Sequence, residues 1–128
     1  MADRSVLVVE DDPELRTIYQ EVLTEGGFHV LVASDGLHAL EMLDRGVAPC
    51  VMVLDLRMPR MSGWELADHL RADGRWDTLP VIVVAAYYRI AEEAERLGAR
   101  AWLQKPIDLG RLVVVVEDAC RANRPSGN

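Results

Sequence analysis

No stretch of this chain is apolar for long enough to cross a membrane. The longest unbroken run, residues 81–88, falls far short of the roughly 20 residues a spanning helix needs. The opening MADRS lacks the apolar core of a secretory signal. Positive charge is also in short supply: 14 Lys and Arg stand against 21 Asp and Glu, a net charge of −7 with pI near 4.9. That balance argues against a nucleic-acid phosphate partner, so direct DNA binding is not expected. Cysteine is scarce. Cys50 and Cys120 are the only two. They lie far apart with no C-x-x-C, which reads as a reduced, cytoplasmic setting with two structural thiols. Repeats, linkers and low-complexity tracts are missing too. What remains is a globular composition, half hydrophobic over 128 residues, enough for one domain with its own core.

Five short apolar runs, residues 6–9, 30–33, 51–54, 81–85 and 101–103, alternate with amphipathic stretches. The runs are β-branched and nearly continuous, as strands buried on both faces of a parallel sheet are. The stretches 13–25, 34–45, 63–72, 89–97 and 108–122 carry apolar residues at helical spacing. Gly26, Gly46 and Gly98 stand where helices end, and Asp108 is placed to cap the last helix. Val113 to Val116 is a poor helix by propensity. It is nevertheless read as helix, because Leu109, Leu112, Val113, Val116 and Cys120 make one stripe. Strict alternation of strand and helix predicts a doubly wound α/β fold with helices on both faces. Residues 1–122 form the domain, and the polar tail 123–128 is expected to be flexible.

Such folds bind ligands beyond the carboxyl ends of their strands. Glu10, Asp11 and Asp12 follow the first strand, Asp55 ends the third, Ala85-Ala86-Tyr87 ends the fourth, and Lys105-Pro106 follows the fifth. Asp12 before Pro13 and Glu14 reads mainly as a helix N-cap. Glu10, Asp11 and Asp55 would repel one another unless they hold a hard cation such as Mg²⁺. Lys105 adds a mobile positive charge.

Four segments, VLVVEDD, VMVLDLRMPRMSG, LPVIVVAA and AWLQKP, resemble the receiver domain of bacterial response regulators, in the family's order and over nearly the whole chain. The resemblance implies a five-stranded parallel sheet of flavodoxin-like order 2-1-3-4-5. It makes Asp55 the acceptor of a phosphoryl group from a sensor histidine kinase or phosphotransfer protein. A downstream protein partner is implied, and a membrane is not. Asp11 resembles the direct Mg²⁺ ligand, Glu10 its water-mediated partner, and the Arg57 main-chain carbonyl the third ligand. Lys105 resembles the phosphoryl-contacting lysine, before a peptide bond that is usually cis in the family. Gly63 resembles the glycine that follows the acceptor loop.

The chain also departs from the pattern. Ala85 stands where a Ser or Thr normally binds a phosphoryl oxygen. Trp102 replaces the usual Tyr or Phe switch residue, and Ile107 stands where Phe is common. The segment from Ala85 to Lys105 is short by about two residues, which predicts a trimmed or irregular fourth helix. A weak or atypical switch is the expectation. The function expected is phosphoacceptor signalling without turnover catalysis. The alternative is a phosphate-independent pseudo-receiver. A phosphohydrolase resembling the haloacid dehalogenases ranks last, because Arg57 occupies the place of the second Asp. His29, His38 and His69 read as surface or packing residues, and Trp64 and Trp76, which flank the third helix, as residues that pack or cap it.

Overall fold

The computed structural model describes residues 4–86 and 89–122. The expected tail, 123–128, and Tyr87 lie outside the described residues. The strands are β1 (Ser5–Val9), β2 (His29–Ala33), β3 (Val51–Asp55), β4 (Val81–Ala85) and β5 (Ala101–Gln104). The helices are α1 (Pro13–Glu25), α2 (Gly36–Asp44), α3 (Gly63–Ala72), α4 (Ile90–Leu97) and α5 (Leu109–Ala122). All strand pairs are parallel, and the order is β2-β1-β3-β4-β5. The expected fold and strand order are therefore those found.

Alternate residues along the strands serve two cores. Leu7, Met52, Leu54 and Val83 face Leu66, Leu70, Ile90 and Leu97 of α3 and α4. Val8, Val53, Ile82 and Leu103 face Tyr19, Leu23, Leu112 and Val116 of α1 and α5. The central strands are buried on both sides, which is why they read as continuous apolar runs. Packing decides the valine run in α5: Leu112, Val115, Val116, Ala119 and Cys120 are buried on one face, and that burial outweighs β-branched propensity.

Local signals fix the helix starts. The Asp12 carboxylate accepts from the Glu14 and Leu15 amides. Asp35 accepts from the His38 amide, and Asp108 from that of Arg111. Ser62 and Glu65 form a reciprocal capping box at α3. The α4 helix is short, eight residues, and ends in a left-handed Gly98, in keeping with the shortened segment. The 3-10 turn Trp76–Thr78 was not anticipated. It buries Trp76, whose indole N–H donates to the Leu97 carbonyl at 2.8 Å. Trp64 instead donates to Glu93 on α4 at 2.8 Å. Among the described residues no helix is long and apolar enough to cross a membrane.

One expectation is corrected. The two cysteines are not separate thiols. Cys50, at the entrance to β3, and Cys120, in the last turn of α5, form a disulfide with Cα atoms 5.1 Å apart. They are 70 residues apart in the chain, and only the packing of α5 across the sheet brings them together. Closing so long a loop restricts the unfolded chain, a stabilisation of about 2–4 kcal/mol. Thermal unfolding with and without reductant checks this. The midpoint should fall by several degrees on reduction, and Cys120→Ser should match the reduced protein without further response. A wild-type midpoint indifferent to reductant contradicts it.

Candidate functional site

The carboxyl ends of β1, β3 and β5 bring the expected residues to one place. Asp55 closes β3 and is buried. One of its oxygens accepts from the Arg57 amide at 3.2 Å. The other accepts from Lys105 Nζ at 2.9 Å. Lys105 is set there by its own amide, which donates to the Ala85 carbonyl at 2.8 Å. The Lys105-Pro106 bond is cis, as the resemblance implied. Glu10 is buried too, with only 1% of its surface exposed. Its Oε2 accepts from the Asp12 amide at 3.1 Å. Lys105 Nζ stands 3.0 Å from Oε1, an ion-pair separation, yet no donor is aligned for a hydrogen bond to that oxygen. Asp11 is exposed at the mouth. Ligand atoms from Glu10, Asp11 and Asp55 all lie within 4.8 Å of one another.

Electrostatics follow from this crowding. Burial pushes the Glu10 carboxyl up to about 7, and the Asp55 charge adds to it; Lys105 and the Asp12 amide pull the other way without winning. Burial works against the Lys105 charge, but its hydrogen bond to Asp55 and its ion pair with Glu10 prevail and hold the ammonium above its ordinary value. Tyr19, buried on α1 nearby, has its phenol raised to about 12, first by burial and then by Glu10. A buried carboxylate oxygen lacking a donor, beside two further carboxylates, suits a hard divalent cation. The residues present fit Mg²⁺.

Close packing shapes the loop between Asp55 and α3. The Gly63 amide donates to the Leu56 carbonyl at 2.9 Å, and a Cβ on Gly63 would lie 2.9 Å from the Asp55 carbonyl oxygen. Only glycine lets α3 begin so near Asp55. Arg16 was missed in the sequence. Its guanidinium donates to the Glu10 carbonyl at 2.8 Å and steadies the acidic turn from one helical turn into α1. Its E-L-R setting reads as an ordinary solvated helix face, so nothing in the pattern announced this.

The remaining residues lie around the site. Ala85 is buried at the end of β4. Trp102 is exposed at 44% on β5 and so is not a core residue. Arg57 is exposed at the mouth. His29 and His69 are exposed, and His38 Nδ1 accepts from the Ser34 amide at 3.1 Å. None of the three stands among the carboxylates. A cavity of about 660 Å³ lined by Arg71, Trp76, Arg96 and Arg100 opens at the other end of the strands and takes no part. Beside Lys105 runs a groove of about 410 Å³ lined by Leu15, Ile18, Ala86, Pro106, Ile107 and Leu109, among others.

Fold and site together define a doubly wound α/β protein with a lysine-bridged acidic pocket at the carboxyl edge of its sheet. The chain belongs to the response regulator receiver domain family, which matches residues 6–117. It is 36% identical over 127 residues to an uncharacterised 14.6 kDa protein of Leptolyngbya boryana, covering 98% of this chain and 96% of that one. It is 37% identical over 115 residues to the Regulator of RpoS of Escherichia coli K12, covering 88% of this chain and 33% of that protein. Several other curated relatives are matched over about half their length, such as Response regulator MprA of Mycobacterium leprae at 52%. Among solved structures, the receiver domain of Francisella response regulator 1452 superposes with a TM-score of 0.87 at 27% identity, covering 95% of this chain and all of that one. A sensor protein from Polaromonas sp. JS666 superposes at 0.83 with 31% identity, covering 94% and 98%.

The raised Glu10 carboxyl sets a pH dependence. A folded value near 7 against an ordinary 4.5 means that folding favours the protonated acid. Its contribution is fully present below about 4.5 and is lost as pH rises through about 7. In EDTA, stability should fall by about 1–2 kcal/mol between pH 5.5 and 8. Glu10→Gln, which cannot ionise, should flatten that slope. Thermal midpoints across the range check it, and parallel slopes in the two proteins contradict it.

Proposed function

We propose that the protein is a phosphoacceptor in a two-component phosphorelay, taking a phosphoryl group onto Asp55 from the phosphohistidine of a sensor histidine kinase or phosphotransfer protein. The observation that carries this reading is the single ammonium of Lys105 within 3.0 Å of both Glu10 and Asp55. Mg²⁺ would be held by Asp11, Asp55 and the Arg57 main-chain carbonyl, with Glu10 acting through water. When bound it supplies charge neutralisation for the transferring group. An Asp55 carboxylate oxygen attacks phosphorus, the P–N bond breaks, and its electron pair leaves with the imidazole. Lys105 trades a carboxylate partner for a phosphoryl oxygen and keeps its charge compensated. Hydrolysis of the acyl phosphate returns free Asp55 and phosphate. The protein acts once per phosphoryl group and is not a turnover enzyme.

The apolar groove beside Lys105 gives the donor protein a place to approach, and we assign this exchange to the cytoplasm on the family likeness alone, since the paired cysteines no longer speak for a reducing setting. The output is a protein partner, without direct contact to DNA or membrane. Ala85 offers no hydroxyl to the phosphoryl group, and Trp102 stands exposed on β5, so Asp55 chemistry couples weakly to the β4–α5 surface. Buried Ala85 also favours a second reading, a phosphate-independent pseudo-receiver that signals by protein contact alone.

Acetyl phosphate with Mg²⁺ separates the two. Intact mass should rise by one phosphoryl group in wild type, and not in Asp55→Asn or in EDTA. An unlabelled wild type favours the pseudo-receiver, and labelling of Asp55→Asn excludes Asp55 as the acceptor.

Ala85→Thr tests the switch. A hydrogen bond to a charged group is worth about 1.5–3 kcal/mol, so labelling should quicken by roughly tenfold or more. Chemical-shift changes at Trp102 on labelling should grow in the same variant. Equal rates and equal shifts in the two proteins contradict the weak switch.

A further inference from the structure

We propose that Asp35 and Arg60 are positioning residues: an ion pair that latches the β3–α3 loop to the start of α2 and so holds the loop in shape for cation binding. The inference rests on the Mg²⁺ reading given above.

The loop between Asp55 and α3 is short and pinned at its base, through the Arg57 amide to Asp55 and the Gly63 amide to Leu56. Its apex is unusual. The Met61 amide donates to the Pro59 carbonyl at 2.7 Å, closing a three-residue turn around Arg60 at φ +66°. Arg60 is the only non-glycine with positive φ among the described residues. A γ-turn of this hand is strained, and a side chain adds to its cost. Backbone of this kind persists only where its surroundings hold it.

Both holds come from the β2–α2 junction. The Gly36 amide donates to the Met61 carbonyl at 3.0 Å. A Cβ at Gly36 would come within 2.4 Å of that oxygen, so the two backbones touch with no room to spare. Beside this contact, Arg60 Nε donates to Asp35 Oδ2 at 2.6 Å. Asp35 cannot follow the loop. It is buried, and its other oxygen caps α2 through the His38 amide at 2.8 Å. The Arg60 bond also holds the Asp35 carboxyl below its ordinary value, so it stays ionised at neutral pH.

The helix therefore provides a fixed anion, and the loop reaches to it. The guanidinium is largely exposed, and an ion pair with one wet end adds little to global stability. Its effect falls on the loop that carries the Arg57 carbonyl.

The test is a Mg²⁺ titration of the full chain, read from the amide shifts of Asp11 and Met61, with thermal midpoints measured in parallel. Arg60→Ala and Asp35→Asn should each weaken Mg²⁺ binding by about threefold to tenfold. The double variant should be no weaker than the singles, because both remove one latch. Arg60→Gly loses the guanidinium but suits the positive φ, and it should lose affinity as well. Arg75→Ala, which breaks pairs with Asp44 and Asp73 elsewhere, should leave Mg²⁺ affinity at the wild-type value whatever its midpoint.

Single variants that bind Mg²⁺ as tightly as wild type overturn the latch and leave the cation site standing. So do losses that multiply in the double variant. Wild-type affinity in Arg60→Gly alone assigns the effect to backbone strain and also overturns the latch. A wild type that shows no Mg²⁺ response overturns the cation reading and the latch together.

Discussion

Glu10, Asp11 and Asp55 share one edge of a parallel sheet, and Lys105 is the cation the chain itself brings to them. Its Nζ lies 2.9 Å from Asp55 and 3.0 Å from Glu10. Two of these carboxylates are buried, where unpaired charge is costly. One ammonium cannot balance three acids, so the pocket keeps a standing demand for positive charge. The raised Glu10 carboxyl and the undirected Glu10 oxygen are two signs of that demand. The surrounding architecture serves to keep this arrangement in place. β3 ends on Asp55, β5 delivers Lys105, Gly63 lets α3 start against the end of β3, and Arg16 steadies the acidic turn.

That demand for positive charge explains why the strand ends fit the receiver family's pattern. Residues that face the cation demand match the family's pattern. Two residues at the far strands differ from it: Ala85, buried at the end of β4, has no hydroxyl, and Trp102 lies exposed on β5. The two parts are physically separable. The first depends on charge balance at the strand ends, and the second sits on β4 and β5, where Ala85 brings no polar side chain.

Much of this was legible in the sequence, for identifiable reasons. Buried parallel strands must be continuous apolar runs, so β1, β3 and β4 stood out. Asp12-Pro13-Glu14 carries its own capping chemistry, and α1 begins where that predicts. The valine run of α5 was legible only as a stripe, since propensity pointed the other way. What stayed hidden depends on tertiary proximity. Cys50 and Cys120 pair because α5 crosses the sheet, and no local pattern encodes that. The approach of Arg60 to Asp35 rests on a positive φ in a loop of otherwise ordinary residues. Trp76 was placed beside the third helix, but its bond to the Leu97 carbonyl needed the fold to be seen.

The central claim is that the strand ends form a built site for one divalent cation. Mn²⁺, which shares the hard-oxygen preference of Mg²⁺, makes it directly visible by anomalous scattering from crystals of the protein. The account predicts one strong peak between Asp11, Asp55 and the Arg57 carbonyl, with Lys105 displaced but still beside Glu10. A protein that takes up Mn²⁺ only elsewhere, or leaves the three carboxylates without a peak at millimolar metal, would contradict it.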